Sequence, residues 1–508
     1  MADVTYRGNL SASYIPVDPL SAGRSVIMKG YDNQYAPNLA SKADTDKDIG
    51  IPQIIYGANI LPTEQGWRSV TFHHSVEGCP GTPYTAFPVR SATATTTLIH
   101  TEEGDLYRLD EGGTPQFVYV GNFPGVVSYA TVSGTTYLFF RGTGAYTYDP
   151  VTDVITSTTL TGLTVSAILG IVGTSGYLLA WSEDAITWSS IFDPTDFVPS
   201  VDTGAGGGPV EAVRGAITVC VSNAQGILVF TENNCVAATL SNNATYPFNF
   251  KEIAGSSGVT SIQQVTVDGN ANTTYAFTPT GFQQLSLNGA KTIWTDLSDN
   301  ADVTPVWDEN SALIEGYGTA RGISGAKMVM IANRYVCISI ANGTSYRDVW
   351  VFDAALQRWG RLVLRHLDVF ESESHEIALL GTDGHITVVK NSNAPETGYH
   401  VDPDSAVIVL GKFQYSRQRL LQLQRIEIDN LFPVQQVDNL TGVIIEVAYP
   451  KVFVLSPVDG KNGVWNSTYR RSQIEYLYHK TGLNHSIMIK GCFYLSSLVL
   501  TFNNHGGR

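Results

Sequence analysis

From about residue 95 onward, the apolar positions of the chain fall into a repeated unit: a short apolar or aromatic run, a Gly-containing turn, and a second apolar run. The unit is legible in TTLIHTEEGDLYRL (96–109), TTYLFFRGTGAYTYD (135–149), AITVCVSNAQGILVF (216–230) and TTYAFTPTGFQQLSL (273–287). It recurs in RYVCISIANGTSYRDVWVFD (334–353) and EIALLGTDGHITVVK (376–390), with a weaker copy in SAILGIVGTSGYLLAWS (166–182). The turn centres lie near residues 104, 142, 175, 225, 280, 343 and 383, giving steps of 38, 33, 50, 55, 63 and 40 residues. These steps are close to the length of a four-stranded propeller blade, and their scatter implies blades of unequal length. A β-sandwich also uses such hairpins. The long period and the ending Val351-Phe352-Asp353 followed by Trp359 favour a propeller.

The flanks have a different texture. The first ~90 residues carry Pro16, Pro19, Pro37, Pro52, Pro62, Pro80, Pro83 and Pro88 with little alternation, which predicts an extended arm or loop-rich cap over 1–94. Such a segment usually wraps around something else. After Thr397-Gly398-Tyr399 the repeat stops and longer strands appear in AVIVLGKFQYS, RLLQLQRIEIDNLF, GVIIEVAYPKVFVL and SLVLTFNN, which predicts a β-sandwich over 399–508. No stretch of more than ten residues keeps a helical apolar period free of Gly, Pro or β-branched interruption. The expectation is an all-β protein: an irregular β-propeller over 95–398, preceded by an arm or cap and followed by a sandwich.

Composition adds two constraints. Charged residues are 15% of the chain, below the ~25% of ordinary soluble domains, so its surface must be rich in uncharged polar groups. Forty-six acidic residues against 31 Lys plus Arg leave a net charge of −15, which argues against a general affinity for phosphate backbones; DNA that meets this protein is expected to slide past it. The sign reverses locally in the last domain, at Lys412, Arg417, Arg419 and Arg425 and again at Arg470, Arg471 and Lys480. Those cations either dock one subunit's sandwich on a neighbour's acidic propeller or solvate a strand face. The opening MADVTYRGNL has no basic segment before an apolar core, and no run of about 18 apolar residues occurs, so synthesis in the cytosol without a membrane span is expected.

Candidate chemistry is thin. Cys79, Cys220, Cys235, Cys337 and Cys492 are odd in number with no CxxC pair, and read as small buried side chains in a reducing compartment. Asp44, Asp46 and Asp48 begin like a calcium loop, but Ile49 and Ile55 stand where the glycine and the bidentate Glu belong. His73 and His74, adjacent on a strand, point to opposite faces and do not share an ion. Thr203-Gly204-Ala205-Gly206-Gly207-Gly208-Pro209 lacks the GK[ST] ending of a phosphate loop and reads as a flexible turn. Ser182-Glu183-Asp184-Ala185-Ile186-Thr187-Trp188 resembles the Asp-box of sialidase-type propellers, one residue short and without the glycine; even genuine copies are structural, and a glycosidase needs an arginine clamp and a nucleophile besides. No catalytic, cofactor-binding or metal residue is assigned, and an enzyme is not expected.

A family resemblance rests on three stretches. Trp188-Ser189-Ser190-Ile191-Phe192-Asp193-Pro194-Thr195-Asp196-Phe197, its Gly-rich turn and GAITVCVSNAQGILVFTENN form the first; VWVFDAALQRWGRLVL (349–364) is the second; YRRSQIEYLYHKTGLNHSIMIKGCFYLSSLVLTF (469–502) is the third. Together they resemble the tail hub or nozzle proteins of short-tailed bacteriophages, also called tail tubular or DNA-stabilisation proteins. The likeness covers about residues 130–505, and the proline-rich start matches loosely. It implies a structural virion protein of the viral tail, made in the host bacterial cytoplasm. It further implies a homohexameric ring stacked below the head-to-tail adaptor, with a central channel for the leaving genome and tail fibres or tailspikes attached around it. The competing expectation is a carbohydrate-binding propeller or sandwich, motivated by 25 Tyr and 8 Trp, with a propeller glycosidase behind it.

Overall fold

The computed structural model describes residues 3–9, 54–64, 66–90, 95–110, 116–174, 176–241, 243, 246–268, 273–295, 326–342, 345–390, 406–413, 421–430, 435–437, 444–446, 451–455, 466–467, 469–470, 475–482, 485–491 and 493–504. Among them, strands dominate and two single 3-10 turns, Val165–Ala167 and Ile262–Gln264, are the helical elements.

Seven four-stranded antiparallel units form a β-propeller. Blade 1 is Pro83–Arg90, Thr95–Thr101, Asp105–Asp110 and Gln116–Asn122; blade 2 is Val127–Val132, Thr135–Phe140, Gly144–Asp149 and Val154–Thr158. Blade 3 is Gly170–Thr174, Tyr177–Trp181, Ala185–Trp188 and Gly206–Pro209; blade 4 is Ile217–Asn223, Gly226–Thr231, Cys235–Leu240 and Phe248–Glu252. Blade 5 is Val265–Asp268, Thr273–Thr278, Gly281–Ser286 and Gly289–Thr295; blade 6 is Ala326–Ile331, Tyr335–Asn342, Ser345–Asp353 and Arg358–Leu362. Blade 7 takes His366–Glu371, Ile377–Gly381 and His385–Lys390 from the end of the ring and its fourth strand, Thr71–Gly78, from the beginning. The first strands of consecutive blades lie side by side around the centre, and blades 1 and 2 are joined through an apolar cluster that includes Phe87, Val89, Leu138 and Phe140.

All seven hairpins expected from the sequence are present, one per blade. In blades 3 and 4 the legible hairpin joins the first and second strands, whereas in the other five it joins the second and third. That shift accounts for the short step into residue 175 and the long step out of 225. Measured from the starts of the innermost strands, at residues 83, 127, 170, 217, 265, 326 and 366, the steps are 44, 43, 47, 48, 61 and 40, and the long one contains 296–325.

The expected boundary at 95 falls inside blade 1. Strands Thr71–Gly78 and Pro83–Arg90 belong to the propeller, although prolines and a His pair hid them. Pro83 and Pro88 are tolerated because an innermost strand is the edge of its sheet, where one row of N–H groups has no ladder partner.

The described part of the expected arm is built into its own chain. Ile54–Ala58 pairs with Val407–Phe413 of the last domain, Ile60–Pro62 meets the outer strand of blade 6 at Arg361, and Trp67–Ser69 pairs with Tyr494–Asn504. Asp3–Asn9 adds a further strand beside Tyr494–Asn504. The last domain consists of two main sheets: Ile54–Ala58, Val407–Phe413, His485–Lys490, Lys451–Leu455 and Asn466–Ser467 in one, and Tyr469–Arg470, Glu475–Gly482, Leu421–Asn430, Tyr494–Asn504 and Asp3–Asn9 in the other. Ile408, Val454 and Ile487 from the first sheet and Leu423, Ile426 and Leu495 from the second share one buried cluster with Trp67, Trp350, Phe352 and Trp359 of the propeller side. The Trp67 indole N–H donates to the Trp359 carbonyl at 3.0 Å, fixing this junction. The sandwich and blade 6 therefore share a core.

Candidate functional site

Two groups of residues stand out: a buried polar cluster where the ring closes, and an exposed apolar rim on blades 1 to 4.

The cluster spans three neighbouring innermost strands. Lys327 of blade 6 ion-pairs with the fully buried Asp368 of blade 7 and approaches Thr85 Oγ1 of blade 1 at 3.5 Å. Asp368 also accepts from the Ala86 N–H at 2.5 Å and the Val369 N–H at 2.7 Å. Burial pushes the Asp368 carboxyl up from its ordinary value, against the opposing pull of Lys327 and these amides. Nearby, Arg361 Nε donates to the buried Asp348 at 2.7 Å while its guanidinium stacks 4.4 Å from the Trp350 ring centre. Asp353 anchors the VFD turn: Oδ1 accepts from the N–H groups of Ala355 and Leu356, Oδ2 accepts from Arg334 Nε, and Gln357 closes the turn at φ 55°.

Ser339 Oγ lies 2.8 Å from His366 Nε2, a spacing that suits an activated nucleophile. The other ring nitrogen, Nδ1, lies 2.7 Å from the Leu364 carbonyl, so it carries the proton and Nε2 accepts from Ser339. Burial lowers the imidazole to about 4, which keeps it neutral. Both residues are 0% exposed, so the pair offers no face to a substrate, and its orienting partner is a backbone carbonyl instead of a carboxylate. Its chemistry is that of a satisfied core histidine.

The sequence-level candidates scatter. Asp44, Asp46 and Asp48, with Cys492, Arg417, Arg419 and Arg471, lie outside the described residues. His73 and His74 sit on the outer strand of blade 7 opposite Val388 and Thr387. Cys79, Cys220, Cys235 and Cys337 are buried free thiols, and burial pushes Cys79 up to about 12. The Gly-rich run is not a loose turn: Gly206–Pro209 is the outer strand of blade 3, and a Cβ at Gly206 would press on the Trp188 indole at 3.2 Å. The Asp-box-like stretch is a tight turn in which the Ala185 N–H donates to Ser182 Oγ at 3.2 Å, and the Trp188 indole donates to the Gly204 carbonyl at 2.9 Å. Lys412, Arg425, Arg470 and Lys480 lie on sandwich strands, and Arg425 is exposed. Among the described residues, no group of three or more His, Cys, Asp or Glu is placed to hold a metal ion, and no helix is long and apolar enough to cross a membrane.

Sequence reasoning missed the rim. Between the third and fourth strands of blade 3, residues 189–205 form a loop held by its own polar groups. Asp193 accepts from the Thr195 N–H at 2.8 Å, Asp196 from the Val198 N–H at 3.0 Å, and Ser190 Oγ from the Phe192 N–H at 3.1 Å. A parallel bridge ties Asp196 to Thr161, and Phe197 is buried in the cluster between blades 2 and 3. The same turns hold Ile191, Phe192, Val198 and Val201 in solvent; Phe192 is 81% exposed. The available signal was the spacing of apolar residues among Asp, Pro and Ser, which breaks every strand rule and leaves large side chains without an element to bury them.

Comparison with known proteins gives fold-level likeness. No protein-family model matches the chain, and no curated protein matches it. Among similar solved structures are the WD40 β-propeller domain of Doa1 (8% identity, TM-score 0.40, covering 64% of this chain and 98% of that one) and the β-propeller domain of Myceliophteria thermophila Cps50, or Swd1 (11%, 0.41, 63% and 99%). BamB from Moraxella catarrhalis is another (11%, 0.36, 67% and 100%).

Proposed function

We propose that this chain is a structural virion protein: a tail nozzle or hub subunit that forms a ring around the DNA exit channel below the head-to-tail adaptor. There it retains and then conducts the genome and anchors tail fibres or spikes. The carrying observation is where the polar and apolar groups lie. The buried polar cluster is consumed in holding blades together, while large apolar side chains are presented to solvent on blades 1 to 4, an arrangement suited to assembly more than to turnover. The resemblance of residues 130–505 to phage tail hub proteins supplies the kind of assembly, and the charge of −15 fits a channel from which DNA must depart. Stitching of the chain's start into sandwich and propeller supports a rigid subunit able to bear load.

The experiment is tail assembly with and without this chain. Particles lacking it are expected to show a truncated tail and to lose packaged DNA after filling. Particles that retain DNA and a full-length tail without it would contradict the proposal. Among the described residues, the exposed aromatics that a carbohydrate-binding alternative would use are Tyr119, Tyr129, Phe192 and Tyr246, each on a different blade; specific hits on a glycan array, abolished by Tyr246→Ala, would favour that alternative.

A further inference from the structure

The exposed apolar side chains are not spread evenly. Among the described residues, 12 large hydrophobics are exposed, and 11 of them lie between Tyr119 and Tyr246, on blades 1 to 4. The other side of the ring is occupied within the chain: the outer strand of blade 6 continues through Ile60–Pro62 and Trp67–Ser69 into the sandwich. The free arc is also acidic. Residues 116–260 hold three Lys plus Arg and ten Asp plus Glu, a net −7, whereas 399–508 hold eleven and eight, a net +3. A surface with apolar knobs and negative charge thus exists on the same molecule as a domain of the opposite sign.

We infer that the loop 189–205, with Ile191, Phe192, Val198 and Val201 exposed along it, is a docking surface for the sandwich domain of a second copy of this chain. The inference rests on the ring reading above and names the surfaces that would close it. Because the two patches are different, the contact is head-to-tail, which generates rings when the rotation closes. The loop is ordered before contact by the Asx and Ser turns of Asp193, Asp196 and Ser190, so little conformational entropy is lost on docking. Asp202, exposed between Val201 and Thr203, places negative charge at the edge of this apolar stretch, where it would meet the cationic stretches around Arg425 and Arg470.

The test uses the full chain carrying a photo-crosslinking phenylalanine analogue at position 192, mixed with an isotope-labelled copy. Crosslinks from 192 to peptides of 399–508 in the labelled copy are expected. The paired variant Phe192→Asp/Val201→Asp is expected to weaken self-association by about tenfold or more while leaving the thermal midpoint of the monomer unchanged. Asp202→Lys is expected to weaken association at low salt and to match the wild type at high salt. Crosslinks confined to 71–390, or a paired variant that assembles as the wild type does, would overturn the inference and leave the ring reading standing. A wild-type chain that never associates would remove both.

Discussion

Blades 3 to 5 and blades 6 and 7 solve the same problem with different chemistry. Each must satisfy polar groups that a packed sheet edge removes from water. Blades 3 to 5 do so mainly with neutral amides and hydroxyls, Asp268 being the one buried carboxylate there among the described residues. Asn234, 1% exposed, accepts from the Arg214 N–H at 3.0 Å and from Thr231 Oγ1 at 2.8 Å, and donates to the Ala212 carbonyl at 3.0 Å. Buried Gln264 accepts from the Thr260 and Ser261 N–H groups at 2.8 and 3.1 Å and caps a 3-10 turn. Blades 6 and 7 use Lys327, Arg361, Asp348, Asp353, Asp368 and Glu371 instead.

Arg361–Asp348 and Arg334–Asp353 are local pairs, 13 and 19 residues apart, but at the closure itself the difference follows from sequence separation. Asn234 and Gln264 bind partners within about 20 residues, so local folding brings the pieces together, whereas Asp368 binds Ala86 across 282 residues. Closing the ring requires the fourth strand of blade 7 to come from the other end of the propeller. A wrongly registered closure would leave a buried charge unpaired, which costs far more than an unpaired amide, so the ionic cluster penalises misregister where it is most available.

Four measurements test the contrast between blades 3 to 5 and blades 6 and 7. Asp368→Ala should lose about 3–5 kcal/mol of stability, because Lys327 stays buried without its partner. The double change Asp368→Leu/Lys327→Met should lose much less, and equal thermal shifts for the two would remove the role given to charge. Next comes pH. The ordinary imidazole value is 6.5 and that of folded His366 about 4, so the unfolded chain binds the proton first; this stability is complete above 6.5 and lost as pH falls to 4, by on the order of 3 kcal/mol. Burial of Asp368 works in the opposite direction, so denaturant midpoints of His366→Gln against the wild type isolate the histidine: the variant should show a flatter pH profile across that window. In blade 4, Asn234→Ala should cost about 1–3 kcal/mol in chemical unfolding, with no dependence on pH between 4 and 7. On the rim, Phe192→Ala should move monomer stability by less than about 0.5 kcal/mol, since the side chain packs on little.

The sequence was most legible where partners are close along the chain. Gly226 illustrates the signal: Asn223 Oδ1 accepts from its N–H at 3.1 Å, its φ is 154°, and a Cβ there would meet the Ala238 carbonyl oxygen at 2.5 Å, so glycine marks the hairpin by necessity. Seven such turns made the propeller visible. The blade 1 strand Pro83–Arg90 escaped because its prolines read as loop, although a sheet edge accepts them. Thr71–Gly78 escaped because its pairing partner begins more than 300 residues later, at His385–Lys390. No motif announced Lys327 and Asp368 or Ser339 and His366 either: these pairs lie 41 and 27 residues apart on neighbouring blades, and each is an ordinary residue until blades 6 and 7 pack together. In the loop 189–205 nothing in the sequence distinguishes Phe197, which takes the buried place, from Phe192, which is left outside.

Assembly is tested most directly by the native mass of the purified chain, alone and mixed with a head-to-tail adaptor, from light scattering or native mass spectrometry. A closed ring of about six copies, formed alone or on the adaptor, is the predicted result. A monomer that persists at every concentration, with the adaptor present, would contradict it.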